Sequence, residues 1–379
     1  MAGVESTLSG LRLRQFRNFE ELDLSFPRAG IAIVGENGSG KSNLLESIYY
    51  LEIFRSFRGA ADEQLVRFGA EAFHVRGRIN DAQNNTTEIG IGYDARGRKK
   101  RVMVNGAEPD RITETIGKLG VVIFSPSDVQ IVAGAPGERR RYLDIVLSLN
   151  VPGYLNALQR FRQLLKNRNA VLRSGRVDQA LLGVWEEPLV EHGARVAIER
   201  ANWIAAHGAS YTSKYTAISG GVRGSLRYDC GIRGALDFSD ELNLREQFRA
   251  ELHRLAQRER ERGQTLSGPH RDDLGFLYES GGNEVELRDF GSGGQVRTAA
   301  IALRMIEAET IHASRDRECL VLLDDVFAEL DVPRSRRIME LLEAEERGQV
   351  ILTAPKESDV QMRGGRLETW RIAHGKVFQ

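Results

Sequence analysis

Gly35-Glu36-Asn37-Gly38-Ser39-Gly40-Lys41-Ser42 carries the most chemically specific spacing in this chain. Two glycines frame it, and a lysine followed by a hydroxyl closes it. Such a loop wraps backbone N–H groups around an anion without Cβ clashes, and an ensuing helix adds its unpaired donors and dipole. Lys41 would then reach the β- and γ-phosphates of a nucleoside triphosphate, and the Ser42 hydroxyl would bind Mg²⁺. Far downstream, Leu320-Val321-Leu322-Leu323-Asp324-Asp325 is an apolar run ending in two carboxylates. A carboxylate at the end of such a strand is where a phosphate-loop enzyme holds Mg²⁺, the role that fits Asp324. Asp325 would orient or deprotonate the attacking water.

The elements needed to position these residues are also legible. Ile31-Ala32-Ile33-Val34 reads as a buried strand entering the loop, and Asn43 to Leu51 as the helix leaving it. That context separates a phosphate cradle from a glycine-rich turn with an accidental Lys-Ser. Leu11–Phe16, Leu22–Phe26, Phe73–Ile79 and Thr87–Tyr93 alternate apolar and polar residues as half-buried strands do. Asn105-Gly106 is a hairpin turn signal, so residues 70–105 read as an antiparallel sheet beside the nucleotide-binding core. From 139 to 261 the spacing turns helical, broken by glycines between Ser219 and Gly234. This reads as a helical arm inserted between 1–138 and 262–379, whose α/β texture builds the head. About 120 residues folded back as two helices reach at most ~90 Å at 1.5 Å per residue, too short for a very long coiled coil.

Phe290-Gly291-Ser292-Gly293-Gly294-Gln295 opens a helix about thirty residues before Asp324. It resembles the LSGGQ signature of ABC-type ATPases, in which a serine and bare N–H groups meet the γ-phosphate of the partner subunit's ATP. The resemblance implies two composite ATP sites in a head-to-tail pair, with Ser292, Gly293, Gly294 and Gln295 acting in trans. Ala328-Glu329-Leu330-Asp331 stands where such proteins carry the D-loop, making Asp331 a candidate cross-subunit contact. Thr353 stands where transporter ATPases carry a switch histidine, which argues against a transporter motor. Gln130 is a positional candidate for the glutamine loop.

Within that superfamily the chain resembles the RecF family of bacterial DNA replication and recombination repair proteins nearly end to end. The carrying blocks are Leu13–Phe19, Asn43–Ile48, Phe57-Arg58, Phe124–Asp128, Arg139–Asp144 and, most specific, Ser267-Gly268-Pro269-His270-Arg271-Asp272-Asp273. Gly293, Val296 and Ala354-Pro355-Lys356 depart from the family pattern, though none removes a phosphate or Mg²⁺ ligand. The implied fold is α/β, an ABC-type P-loop ATPase head with an antiparallel β-layer and an inserted helical arm. The implied activity is ATP-dependent dimerisation on gapped or single/double-strand-junction DNA, with a weak DNA-stimulated ATPase as a switch. RecO and RecR would be partners in loading RecA during repair, replication restart and the SOS response. An SMC-like ATPase subunit of a DNA-end-processing nuclease complex is the alternative.

The remaining composition sets limits. Lys+Arg and Asp+Glu are equal at 53 each among 379 residues, so DNA binding has to come from a local basic surface. The dense candidates are Arg96, Arg98, Lys99, Lys100 and Arg101, with Arg139–Arg141 and Arg334, Arg336 and Arg337 behind them. One histidine beside two adjacent aspartates in the 267–273 block is poor metal-ligand spacing. Two cysteines, Cys230 and Cys319, exclude a disulfide framework. No apolar run approaches the roughly 20 residues that span a bilayer. So few cysteines make the cytoplasm the expected place of work, and the family resemblance implies the nucleoid.

Overall fold

The computed structural model describes residues 6–379 apart from 82, 84, 175–178, 235, 316–317, 328–329, 345–347 and 362–366. Backbone contacts divide the chain into one unit of Met1–Asp128 with Glu307–Gln379, and a second of Val129–Ile306. The joins read from the sequence, near 138 and 262, fall inside the second unit. What ties 262–306 to the helical segment is a strand pairing across it, described below.

The first unit begins with β1 (Thr7–Phe16), β2 (Phe19–Ser25) and β3 (Gly30–Val34), followed by α1 (Lys41–Ile53) and α2 (Asp62–Leu65). Strands β4 (Ala72–Asn80), β5 (Thr86–Asp94), β6 (Lys99–Val104) and β7 (Val121–Phe124) complete its N-terminal part. An antiparallel sheet runs β2-β1-β4-β5-β6. Alternation places Leu11 and Leu13 inward and Arg12 and Arg14 outward. Asn105 and Gly106 both have positive φ, as the turn signal requires, but only the bridge Val104↔Ala107 follows. The expected return strand is thus reduced to one residue pair.

The second unit holds α3 (Val129–Ala133), α4 (Pro136–Asn150), α5 (Tyr154–Arg173), α6 (Gln179–Ser219), β8 (Gly224–Asp229) and α7 (Glu241–Arg262). It continues through β9 (Asp273–Ser280), β10 (Asn283–Glu286), α8 (Leu287–Phe290) and the start of α9 (Gly293–Arg315). The glycine-rich stretch near 224 is not merely a helix break: β8 pairs antiparallel with β9 through Gly224↔Tyr278 to Asp229↔Asp273. That pairing fastens 273–280 to the helices. The longest helix, α6, has 41 residues, about 60 Å at 1.5 Å each. Its Leu189, Ala194 and Ala197 form an apolar cluster with Phe161, Phe248 and Leu252. Gly193 permits the close approach, since a Cβ there would meet Phe248 at 2.6 Å.

The 267–273 block builds structure rather than a metal site. Asp272 accepts from Arg200 at 2.6 Å and from the Gly231 N–H at 2.7 Å, while Asp273 takes the Arg139 guanidinium. Arg200 also binds Asp144 at 2.7 Å. Removing one partner from so buried a pair costs about 3–5 kcal/mol. His270 offers Nε2 to the Thr265 carbonyl at 3.0 Å, and burial pulls its pKa down to about 4, so the ring is neutral. Among the described residues no cluster of metal-binding type occurs, and no helix is long and apolar enough to cross a membrane.

The chain returns to the first unit with β11 (Leu320–Asp324), α10 (Val332–Ala344), β12 (Val350–Ala354), α11 (Glu357–Gln361), β13 (Glu368–Ala373) and β14 (Lys376–Phe378). These join a six-stranded sheet of order β14-β13-β3-β12-β11-β7, parallel except for β14. Strand β3 is buried at every position, as an interior parallel strand must be, hence its unbroken apolar run. Helix α1 shares one core with both sheets, and Leu44, Leu45, Ile48 and Leu51 are fully buried in it.

Candidate nucleotide site

The order of the parallel sheet determines what meets the loop. With β12 between β3 and β11, the C-terminal ends of all three open on the same edge, where Gly35–Gly40 leaves β3. Open parallel sheets bind ligands on that edge. The loop turns on Gly38 and Gly40, whose φ values of 84° and 114° are left-handed. At Gly40 a side chain is excluded twice, because a Cβ would also sit 2.5 Å from Asn18 Nδ2. Asn18 donates to the Ser39 carbonyl at 3.1 Å, and Asn43 donates to Asn18 at 2.8 Å. Arg58 closes the chain by donating to Asn43 at 3.2 Å. These braces were not singled out from the sequence as site residues, although they lie in its family-like blocks.

Lys41, the first residue of α1, is buried and donates to the carbonyls of Gly35 at 2.6 Å and Glu36 at 3.0 Å. Burial lowers its pKa, and the charges of Asp325 and Asp324 push the other way. Ser42 Oγ donates to Asp324 Oδ1 at 2.8 Å. The Thr353 hydroxyl lies 3.1 Å from the same oxygen and accepts from the Asp325 N–H at 3.1 Å. Thr353 therefore does more than stand where a histidine is absent: it fixes both acids at the end of β11. Asp325 leaves the strand with φ 49°, a left-handed turn that aspartate tolerates. Burial raises the Asp324 pKa, partly countered by the bonds from Ser42 and Thr353.

Hydroxyl and carboxylate oxygens converging at 2.8 Å are the hard donors Mg²⁺ prefers. Gly35 and Gly40, whose Cβ positions are sterically blocked, and a buried Ser39 Oγ with no partner among the described residues suit a phosphate cradle. The residues present thus fit a nucleotide phosphate with Mg²⁺. Beside the loop lies an open cleft of about 1010 Å³, walled by Val34–Ser39 and by Arg371, His374 and Phe378, which sequence reading did not find. Those residues reach the loop only because β13 pairs with β3.

The other expected site residues belong to other elements. Ser292, Gly293, Gly294 and Gln295 belong to the second unit. Ser292 N–H donates to Gln295 Oε1 at 2.8 Å and Gln295 N–H to Ser292 Oγ at 3.3 Å, a reciprocal cap at the start of α9. Asp331 caps α10, accepting from Arg334 N–H at 2.8 Å; Ala328 and Glu329 before it lie outside the described residues. Gln130 sits in α3 of the second unit.

The basic clusters are mostly engaged within the fold. Arg96 pairs with Glu71, Arg98 with Glu63 at 3.7 Å and Arg101 with Glu108 at 3.9 Å. Lys100 binds Asp62 at 2.7 Å and lies over the Tyr50 ring. The Lys99 side chain has no hydrogen bond or ion pair among the described residues. Arg139 is 2% exposed and tied to Asp273, which makes it a structural residue. Arg334 holds Asp331, and Arg336 pairs with Glu340.

Comparison with known proteins bears directly on this arrangement. Residues 7–368 match the family described as RecF/RecN/SMC N terminal domain. The DNA replication and repair protein RecF of Salinibacter ruber is 36% identical over 92% of this chain and 85% of its own. That of Leptospira interrogans serovar Lai is 34% identical over 98% of both. A solved structure of the recombination mediator protein RecF-ATP in the RecFOR pathway superimposes with TM-score 0.87, at 31% identity over 99% of each chain. The Smc head domain of Pyrococcus furiosus, with TM-score 0.58 and 16% identity over 98% of this chain and 95% of its own, shares the fold. With these likenesses spanning nearly its whole length, the chain belongs to the RecF family of DNA replication and repair proteins.

Proposed function

We propose that the chain is an ATP-gated DNA clamp of recombinational repair, a homodimer when ATP is bound. The observation that carries this reading is the corner where Ser42 of helix α1 and Thr353 of β12 both meet one carboxylate oxygen of Asp324, at the end of the neighbouring parallel strand β11. A glycine turn alone binds many anions. A turn joined to a buried hydroxyl–carboxylate pair holds a triphosphate with its metal.

In this reading the loop N–H groups and Lys41 bind the β- and γ-phosphates, while Ser42 and Asp324 hold Mg²⁺. The metal supplies charge neutralisation where negative charge builds on the transferring phosphoryl group. Asp325, aimed by its left-handed turn and its N–H bond to Thr353, orients the attacking water and takes its proton. Ser292 and the glycines beside it would close over the phosphate of a second copy, with Asp331 at the same seam. The exposed Ser292 and Gly293 on a helix N-terminus suit that outward role. Hydrolysis, weak and DNA-stimulated, would release the clamp from gapped or junction DNA.

The likeness to a protein of the RecFOR pathway supports RecO and RecR as partners. In this reading the outcome is RecA loading, on the nucleoid. On the β5–β6 hairpin, Lys99 is the residue most available to a DNA phosphate, and Arg98, Lys100 and Arg101 would have to exchange acidic partners first. Sedimentation with and without ATP and gapped DNA tests the proposal. A dimer is expected only with ATP, and Ser292→Arg should keep ATP binding while abolishing that dimer. A Ser292→Arg dimer of normal affinity refutes the shared site.

A further inference from the structure

The second unit contains a cavity of about 360 Å³ against α7, far more basic than the chain's zero net charge suggests. Arg233, Arg254, Arg258, Arg262 and Arg271 reach its wall, against one carboxylate, Glu251. That carboxylate is already spent: Arg254 Nε donates to one oxygen at 2.6 Å and its Nη2 to the other at 2.7 Å. The Arg271 guanidinium donates to the Thr265 carbonyl at 3.4 Å and pairs with no acid among the described residues. Among the described residues the side chains of Arg233, Arg258 and Arg262 have neither a hydrogen bond nor an ion pair. Four guanidinium charges therefore face one cavity uncompensated.

Helix stability does not explain them. Arg254, Arg258 and Arg262 recur every four residues on one face of α7, a spacing at which like charges repel. The helix C-terminus favours a cation near Arg262, but that effect fades within the last turn. An anion seated among the guanidinium groups would offset the repulsion, and their planar forks suit phosphate oxygens. The uncompensated arginines of α7, Arg258 and Arg262, lie ~6 Å apart along the helix axis at 1.5 Å per residue. At ~3.4 Å of axis per nucleotide, that is the span of about two successive phosphates of one strand, with Arg233 and Arg271 on the same wall for their neighbours. A lone carboxylate would engage only one of these arginines.

We propose that this basin binds consecutive backbone phosphates of a nucleic-acid strand, without reading bases. It is separate in sequence from the hairpin arginines and rests on the reading that the chain binds DNA. The test uses the full chain with ATP and Mg²⁺, titrated with short single- and double-stranded oligonucleotides over a range of salt. The variant is R233Q/R258Q/R262Q, which leaves the Glu251–Arg254 pair intact. Its log K against log salt should be shallower by about 2 to 3, with affinity at low salt down about tenfold, since each lost phosphate contact removes ~0.7–0.9 from the slope. R233K/R258K/R262K should keep the wild-type slope, and ATP affinity and Tm should be unchanged in both.

If the wild type binds DNA and the glutamine variant matches it in affinity and slope, the basin is not a phosphate site and the inference falls alone. If the glutamine variant matches wild type on DNA but loses binding to poly-glutamate, the basin serves an acidic polypeptide and the inference is likewise overturned. If the wild type itself binds no DNA in any nucleotide state, the clamp reading and the inference fall together.

Discussion

Two glycine-rich loops each open a helix in this chain, and they are built in opposite ways. The loop before α1 is braced from outside: Asn18 and Gly375 both donate to the Ser39 carbonyl, at 3.1 and 3.4 Å, and Gly35 N–H reaches Ala354. Its lysine is buried and the Ser42 hydroxyl already rests on Asp324. The loop before α9 is held by the bonds Ser292 and Gln295 exchange, and a Cβ on Gly293 would meet only the tip of Arg297, at 4.0 Å. Phe290 beside it is 70% exposed. The first loop is preorganised for a ligand by its own chain, whereas the second presents groups outward that its own unit leaves largely bare. A half-site completed by another copy would have this character.

Substitutions can sharpen or break that contrast. At the finished loop, Asp325→Asn should slow ATP hydrolysis by about 10²–10⁴, the usual worth of a positioned acid–base group. ATP should stay bound and the dimer persist in sedimentation; a variant that turns over normally removes Asp325 from the chemistry. Lys41→Met should weaken nucleotide binding about 100-fold, as loss of charge-assisted bonds to phosphate does. Calorimetric titration with ATP would register it, and unaltered affinity would undo the cradle assignment.

At the bare loop, Ser292→Asp is the discriminating change. Aspartate caps a helix as well as serine does, so Tm should hold, while a negative charge facing a triphosphate should weaken the dimer by about 10–100-fold. A fall in Tm with dimer affinity intact would reduce Ser292 to a cap. The smallest effect is expected for Asn18→Ala, which removes a brace but no ligand. Nucleotide affinity should drop about 5-fold, in line with one neutral hydrogen bond. No change would mean the loop holds its shape unaided.

Much of the first loop was readable because its information is contiguous. The strand Ile31–Val34, the glycines, Lys41 and Ser42 occupy one short segment, and backbone conformation alone dictates where glycine must stand. The braces were less visible, since Asn18 and Arg58 act across 21 and 15 residues on loop and helix. The Thr353 hydroxyl, read at first only as a missing histidine, gained its role from the register Asp324↔Thr353. Basic clusters misled most: Arg96 to Arg101 is dense in sequence, yet four of its five basic residues meet acids, while Arg233, Arg258, Arg262 and Arg271, scattered along the chain, converge on one cavity without an acidic partner among the described residues.

The amino-acid sequence by itself determined the phosphate loop, the double-carboxylate strand, the helical character of the arm and the family blocks. Those depend on local φ/ψ limits, on apolar periodicity and on residues adjacent in the chain. Tertiary structure alone decided that β12 lies between β3 and β11, that β8 ties 273–280 to the helices, and which charges are neutralised. Strand order and ion pairing join residues far apart along the chain, and spacing within a segment carries no record of which distant partner will arrive.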